Sequence, residues 1–106
     1  MKLTTCFSAL GDPVRFAIVE RLLSEGELSA GVLNEGVTIS APAMSRHLKV
    51  LRSAGLVTRR VNRQQRIYAV DPRAFQQISD WTQKHREFWT QSLDRLGAVL
   101  NEEDGI

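Results

Sequence analysis

The chain has 106 residues, of which 42% are hydrophobic, with one cysteine and a formal net charge of +2. That length suits one domain, residues 1–106, around one core, and the lone Cys6 excludes an intramolecular disulfide and a zinc site built from several thiolates, which fits a reducing cytosol. No run reaches the roughly 18 apolar residues of a membrane span, and "MKLTTCFSALGDP" sets Asp12 and Pro13 where a secretory signal would stay apolar, so no membrane partner and a cytoplasmic location are expected.

Helices dominate the first half of the chain. "TTCFSAL" reads as a short, mostly apolar helix stopped by Gly11. Asp12 and Pro13 then start a second, because Asp accepts a bond from an orphan helical N–H and Pro at the first position has none to lose. This helix, "DPVRFAIVERLLSEG", should end near Ser24 and bury Val14, Ala17, Ile18, Leu22 and either Val19 or Leu23. A third, short helix lies in "SAGVLNEG", capped by Ser29 and ending near Gly36.

The next stretch, "SAPAMSRHLKVLRSAGLV", begins at Ser40, a second expected N-cap. Met44, Leu48 and Leu51 recur at spacings of four and three and form one buried stripe, while Ala41, Ala43 and Ser45 keep the opening turns thin. Arg46 and Lys49 project one turn further on, and Gly55 supplies a left-handed stop. Two short helices joined by a tight turn, the second thin and basic, make a helix-turn-helix whose second helix is shaped for the major groove. His47, within that helix, is expected to pack or to lie beside DNA rather than to bind metal.

After Gly55 the period changes to two. "LVTRRV" and "RIYAV" read as strands of a hairpin turning at "NRQQ", with Leu56, Val57, Val61, Ile67, Tyr68 and Val70 as its apolar content. Arg59, Arg60, Arg63 and Arg66 crowd this wing, and Arg63 at the tip can reach a minor groove. From Gly36 to Val70 there are seven Lys or Arg and no Asp or Glu. A solvated face mixes signs, so this segregation points to a polyanion.

Asp71 and Pro72 cap a last helix expected to run to about Leu100, followed by a frayed tail at about 101–106. Phe75, Ile78, Trp81, His85, Phe88 or Trp89, Ser92, Leu96 and Val99 recur at three and four. A helix of about 28 residues spans about 42 Å, more than a domain with a gyration radius near 13 Å can cover, so part of this stripe needs a second chain. Phe7 and Leu10 of the first helix, with Trp81, Phe88, Trp89 and Leu96, are the expected dimer contacts, and Cys6 is a small buried hydrophobe near that seam.

"LGDPVRFAIVERLL", "ISAPAMSRHLKVLRSAGLV" and "RRVNRQQRIYAVDP" together resemble the ArsR/SmtB family of winged-helix bacterial repressors, over roughly residues 7 to 100. The resemblance implies a mainly α fold of about five helices with a two-stranded wing, and a homodimer on a palindromic operator in double-stranded DNA. It makes Ser45 and Arg46 base and phosphate contacts. Ala41 stands where many relatives carry a polar side chain, often glutamine. With the residues read above, the expected DNA contacts are Ser40, Ala43, Ser45, Arg46, Lys49, Arg59, Arg63, Gln64 and Arg66.

The family's metal positions are mostly unfilled. Ser29 and Gly31 stand where arsenic and cadmium sensors have a Cys-x-Cys, and Pro72, Ala74, His85 and Phe88 stand at the zinc-sensor positions, where His85 alone could serve as a ligand. No metal or other cofactor is expected, and the effector would be a small organic ligand near Trp81, Phe88 and Trp89, a protein partner, or repressor concentration itself. There is no nucleophile-base set, glycine-rich phosphate loop or paired apolar carboxylate to suggest an enzyme. The rival reading is a winged-helix protein-interaction module with an acidic partner and no operator. Small residues at the helix start and arginines on the wing favour DNA, since a protein-docking face would be expected to carry exposed aromatics.

Overall fold

The computed structural model describes residues 2–104. The chain forms two compact units, 1–75 and 76–106. In the first, α1 (Leu3–Leu10), α2 (Pro13–Glu25), α3 (Ala30–Glu35) and α4 (Ala41–Ser53) precede the strands β2 (Val57–Asn62) and β3 (Gln65–Val70), with a two-residue strand β1 (Leu28–Ser29) between α2 and α3. Helix α5 (Pro72–Asp104) starts in the first unit and makes up the second.

Capping sets the helix starts where the sequence places them. Asp12 accepts from the N–H groups of Val14 at 2.8 Å and Arg15 at 3.1 Å, Ser29 from Val32 at 3.2 Å, and Ser40 from Ala43 at 3.2 Å. Helix α4 ends in a double closure: Leu56 N–H donates to the Leu51 carbonyl and Gly55 N–H to that of Arg52, both at 3.0 Å, while Gly55 adopts φ 81°. That left-handed residue suits glycine, and the turn brings Leu51 and Leu56, both fully buried, together at the base of the wing.

Met44, Leu48 and Leu51 form the buried stripe of α4 and meet Cys6 and Ala9 of α1, Ile18, Val19 and Leu22 of α2, Leu33 of α3, and Leu56, Val57 and Tyr68 in one core. The Cys6 thiol lies 3.4 Å from the Ala54 carbonyl, tying α1 to the end of α4. In α2 the stripe takes Val19 rather than Leu23, which is exposed, and Ala17 is exposed as well. Ile18, Val19 and Leu22 follow the i, i+1, i+4 positions of a face narrower than the one expected.

The sheet has three strands, in the order β1-β3-β2, rather than two. Leu28 pairs with Tyr68 and Ser29 with Ile67, so β1 lies along the inner edge of the wing. Val61, expected among the wing's apolar residues, is 65% exposed, because it sits near the hairpin end opposite Arg66, where no helix covers it. Helix α5 runs past the expected stop near Leu100 to Asp104, since nothing in residues 101–104 breaks a helix and the first stop signal is Gly105. Residues 105 and 106 of the expected frayed tail lie outside the described residues.

Candidate nucleic-acid interface

The turn between α3 and α4 is held by Asn34, whose side-chain amide donates to the Ile39 carbonyl at 3.2 Å. Pro42 in the first turn of α4 has no N–H to leave unsatisfied, and Ala41 and Pro42 are exposed. One residue beyond the buried stripe lies a second stripe, Ser45, Lys49 and Arg52, at the same spacing of four and three and exposed throughout. Arg46 is also exposed, whereas Ala43 is half-buried. The Ser40 hydroxyl oxygen is engaged as the cap, which leaves its proton free to donate.

The inward side of α4 is braced by a polar relay. Arg15 donates through Nε to the Ala9 carbonyl at 2.7 Å, and its Nη1 lies 3.4 Å from Nδ1 of His47, which is half-buried. His47 therefore packs against α2. The Arg15 backbone N–H, seconded by that of Val14 and by the Arg15 and His47 charges, holds the Asp12 carboxyl below its ordinary value.

In the wing, Arg59 pairs with Tyr68 and Val61 with Arg66, so Arg59, Arg66 and Tyr68 share one face while Arg60, opposite Ile67, points to the other. Arg60 binds the Glu27 carboxylate at 2.7 Å. That pair offsets part of the like-charge repulsion among the four wing arginines. The hairpin turns through Arg63 and Gln64, with Arg63 at φ 60°, a conformation for which glycine is the low-strain choice. An arginine is thus held at the tip despite the backbone preference.

Four of the eleven Arg residues, Arg15, Arg21, Arg60 and Arg73, are ion-paired. Among the described residues, Arg46, Lys49, Arg52, Arg59, Arg63 and Arg66, on α4 or the wing, have no acidic partner, and neither have Lys2 ahead of α1 nor Lys84, Arg86 and Arg95 on α5. Ser45, Lys49, Arg52, Arg59, Arg66 and Tyr68 together line a hollow of about 310 Å³. Arg63 and Gln64 line a separate one at the tip with Asn62 and Gln65, and Arg46 lines neither. Sequence reasoning left Arg52 and Tyr68 out of the site. Arg52 was detectable, three residues after Lys49 and seven after Ser45, but Tyr68 was not, since strand alternation marks it only as apolar.

Beneath the wing, Asp71 is buried and accepts from the Arg73 N–H at 3.0 Å and from its guanidinium at 3.1 and 2.8 Å. The Arg73 side chain, then its backbone N–H, hold this carboxyl below its ordinary value. Asp71 N–H donates to the Leu56 carbonyl at 2.8 Å, which fixes where α5 leaves β3.

Of the expected dimer contacts, Phe7, Trp81, Phe88, Trp89 and Leu96 are exposed and Leu10 is half-buried. Trp89, Leu93, Leu96 and Leu100 recur at four, three and four, and all are more than half exposed, so Leu93 and Leu100 join the stripe that Ser92 and Val99 were expected to fill. His85 stacks at a tilt on Trp81, with ring centroids 5.0 Å apart. Among the described residues, no three His, Cys, Asp or Glu side chains are grouped to hold a metal ion, and no helix is long and apolar enough to cross a membrane.

Compared with known proteins, residues 10–60 match the Helix-turn-helix domain family. The chain is 39% identical over 97 residues to the HTH-type transcriptional regulator Rv2034 of Mycobacterium tuberculosis, covering 92% of this chain and 87% of that one. It is 32% identical over 75 residues to the transcriptional repressor SdpR of Bacillus subtilis, with coverage of 71% and 82%. A solved ArsR family transcriptional regulator superposes with a TM-score of 0.74 at 26% identity, covering 83% of this chain and 90% of that one. The chain belongs to the ArsR family. As an ArsR-type winged helix-turn-helix protein it is a DNA-binding transcriptional repressor, with α3 and α4 as its helix-turn-helix and β2–β3 as its wing. Both relatives are named as regulators of transcription.

Proposed function

We propose that this repressor binds a palindromic operator as a homodimer, independently of metal, with α4 in the major groove and the wing tip at the adjacent minor groove. The observation that carries the reading is the placement of six unpaired cations on α4 and the wing, while Arg60, on the opposite face of the wing, is neutralised by Glu27. Ser45 and Arg46 contact base edges and phosphate, with Ser40 and Ala43 at the close approach of the thin first turn. Lys49, Arg59 and Arg66 hold phosphates, and Arg63 with Gln64 reaches the minor groove.

The exposed stripe Trp89, Leu93, Leu96 and Leu100 supports dimerisation through α5, with Phe7 and Leu10 adding to it. Two-fold symmetry would set the recognition helices one DNA turn apart, about 34 to 36 Å. Metal independence is supported by Ser29, whose hydroxyl oxygen caps α3, and by Gly31, which has no side chain to offer. The signal that releases DNA is then a small organic ligand at the α5 aromatics, a protein partner, or the repressor's own concentration.

Selection of a duplex from a random library by the purified protein tests the reading. A palindromic site is expected, with a log-log salt slope near −5 if each protomer neutralises about three phosphates. Stoichiometric zinc, cadmium or arsenite should leave the affinity unchanged. A selected site without dyad symmetry refutes the dimer arrangement, and a tenfold loss of affinity with metal, about 1.4 kcal/mol of coupling, refutes metal independence.

A further inference from the structure

We propose that the hollow between α4 and the wing is the seat of the DNA sugar-phosphate backbone, and that Arg52 and Tyr68 belong to it. This rests on the reading of α4 and the wing as the DNA-binding face. If the first turns of α4 lie in the major groove and the wing tip reaches the adjacent minor groove, the strand separating those grooves has to pass between helix and hairpin. The hollow is located there, lined from one side by Ser45, Lys49 and Arg52 and from the other by Arg59, Arg66 and Tyr68.

Its chemistry is that of a phosphate site. The lining holds four cations, two hydroxyls and no carboxylate, and none of the cations has an acidic partner among the described residues. Tyr68 is the second indication. It is 4% exposed as a residue, its hydroxyl has no hydrogen-bond partner among the described residues, and that oxygen is not one of the fully buried unpaired atoms, so the phenol is open to the hollow it lines and free to donate there. A phosphate oxygen accepts from a phenol and from guanidinium groups together.

The two sides of the seat come from different elements with fixed relative placement. Helix α4 contributes its second stripe, and β2 and β3 contribute one face through the Arg59–Tyr68 pairing. A backbone held here sets how far α4 enters the groove, so Arg52 and Tyr68 are positioning residues that read no base.

The test uses the full-length protein and a duplex selected for it, carrying single neutral methylphosphonates at each backbone position in turn. At one or two positions per half-site, neutralisation should weaken the parent about three- to tenfold. At those positions alone Arg52→Gln and Tyr68→Phe should add nothing further, while Arg52→Lys stays near the parent on the unmodified duplex. The base preference of both variants should match the parent's. Equal, additive losses at every position would show a diffuse field without a seat and overturn the proposal, as would unchanged affinity in Arg52→Gln. Inorganic pyrophosphate, titrated alone, should bind no tighter than millimolar. If it bound more tightly, and the duplex were indifferent to methylphosphonates, the hollow would belong to a free anion and the proposal would fall. Failure to select any duplex would instead defeat the DNA reading on which it rests.

Discussion

Arg59 and Arg60 are neighbours of identical charge that the hairpin register sends to opposite faces, and they should behave differently on DNA. Arg59 faces the hollow with Tyr68, whereas Arg60 is held by Glu27 at 2.7 Å, with the two side chains 57% and 52% exposed. Each phosphate neutralised contributes about 0.9 to the log-log salt slope, so losing one contact per protomer lowers the slope of a dimer by about 1.8. Starting from a slope near −5, the parent loses about 10³-fold in affinity between 50 and 200 mM salt, and Arg59→Gln about 10²-fold. Arg60→Gln should leave the slope where it was and lose only an exposed ion pair, worth at most about 1 kcal/mol of folding stability. Fluorescence anisotropy on one selected duplex at five or six salt concentrations, with denaturant titrations alongside, measures both. Equal slopes for the two variants would show that the wing acts as an undirected positive charge and that the register has no bearing on DNA contact.

At the tip, Arg63→Gly should leave the fold as stable or up to about 1 kcal/mol more stable, since it relieves a left-handed arginine at some cost in chain entropy, while weakening all duplex sequences alike. A variant with parental affinity would remove Arg63 from the interface. Arg46→Ala should cost about 1 to 3 kcal/mol of binding and relax preference at one operator position; a selection profile identical to the parent's would mean that Arg46 reads no base. Trp89→Glu places a charge in the α5 stripe twice over in a two-fold dimer, so sedimentation at micromolar concentration should show monomers that bind operator poorly, and an intact dimer would put the interface elsewhere. Because folding lowers the Asp71 carboxyl below its ordinary value of 3.8, its stabilising contribution is complete above that value and is lost as pH falls through the folded-state pKa. The gap in urea midpoint between the parent and Asp71→Asn should therefore be constant near neutrality and narrow with acidification below that value, and a gap that widened in acid would contradict the assignment.

The local features of this chain were legible because each depends on residues close together in sequence. Asp12, Ser29 and Ser40 cap helices, Met44, Leu48 and Leu51 give the buried stripe of α4, and Gly55 closes it, all within the reach of one or two turns. The acid-free segment from Gly36 to Val70 announced a polyanion for the same reason, since charge segregation needs no coordinates. Tertiary structure decided what depends on partners distant in the chain. Strand β1 is two residues long and carries no period; it exists because β3 offers Leu28 and Ser29 a free edge. Glu27 removes Arg60 from the set of available cations across a separation of 33 residues. The grouping of Arg52 with Arg59, Arg66 and Tyr68 likewise required the helix end, the turn at Gly55 and the hairpin register together. Periodicity assigns a side chain to a face of its own element, and only the packing of elements determines what that face meets.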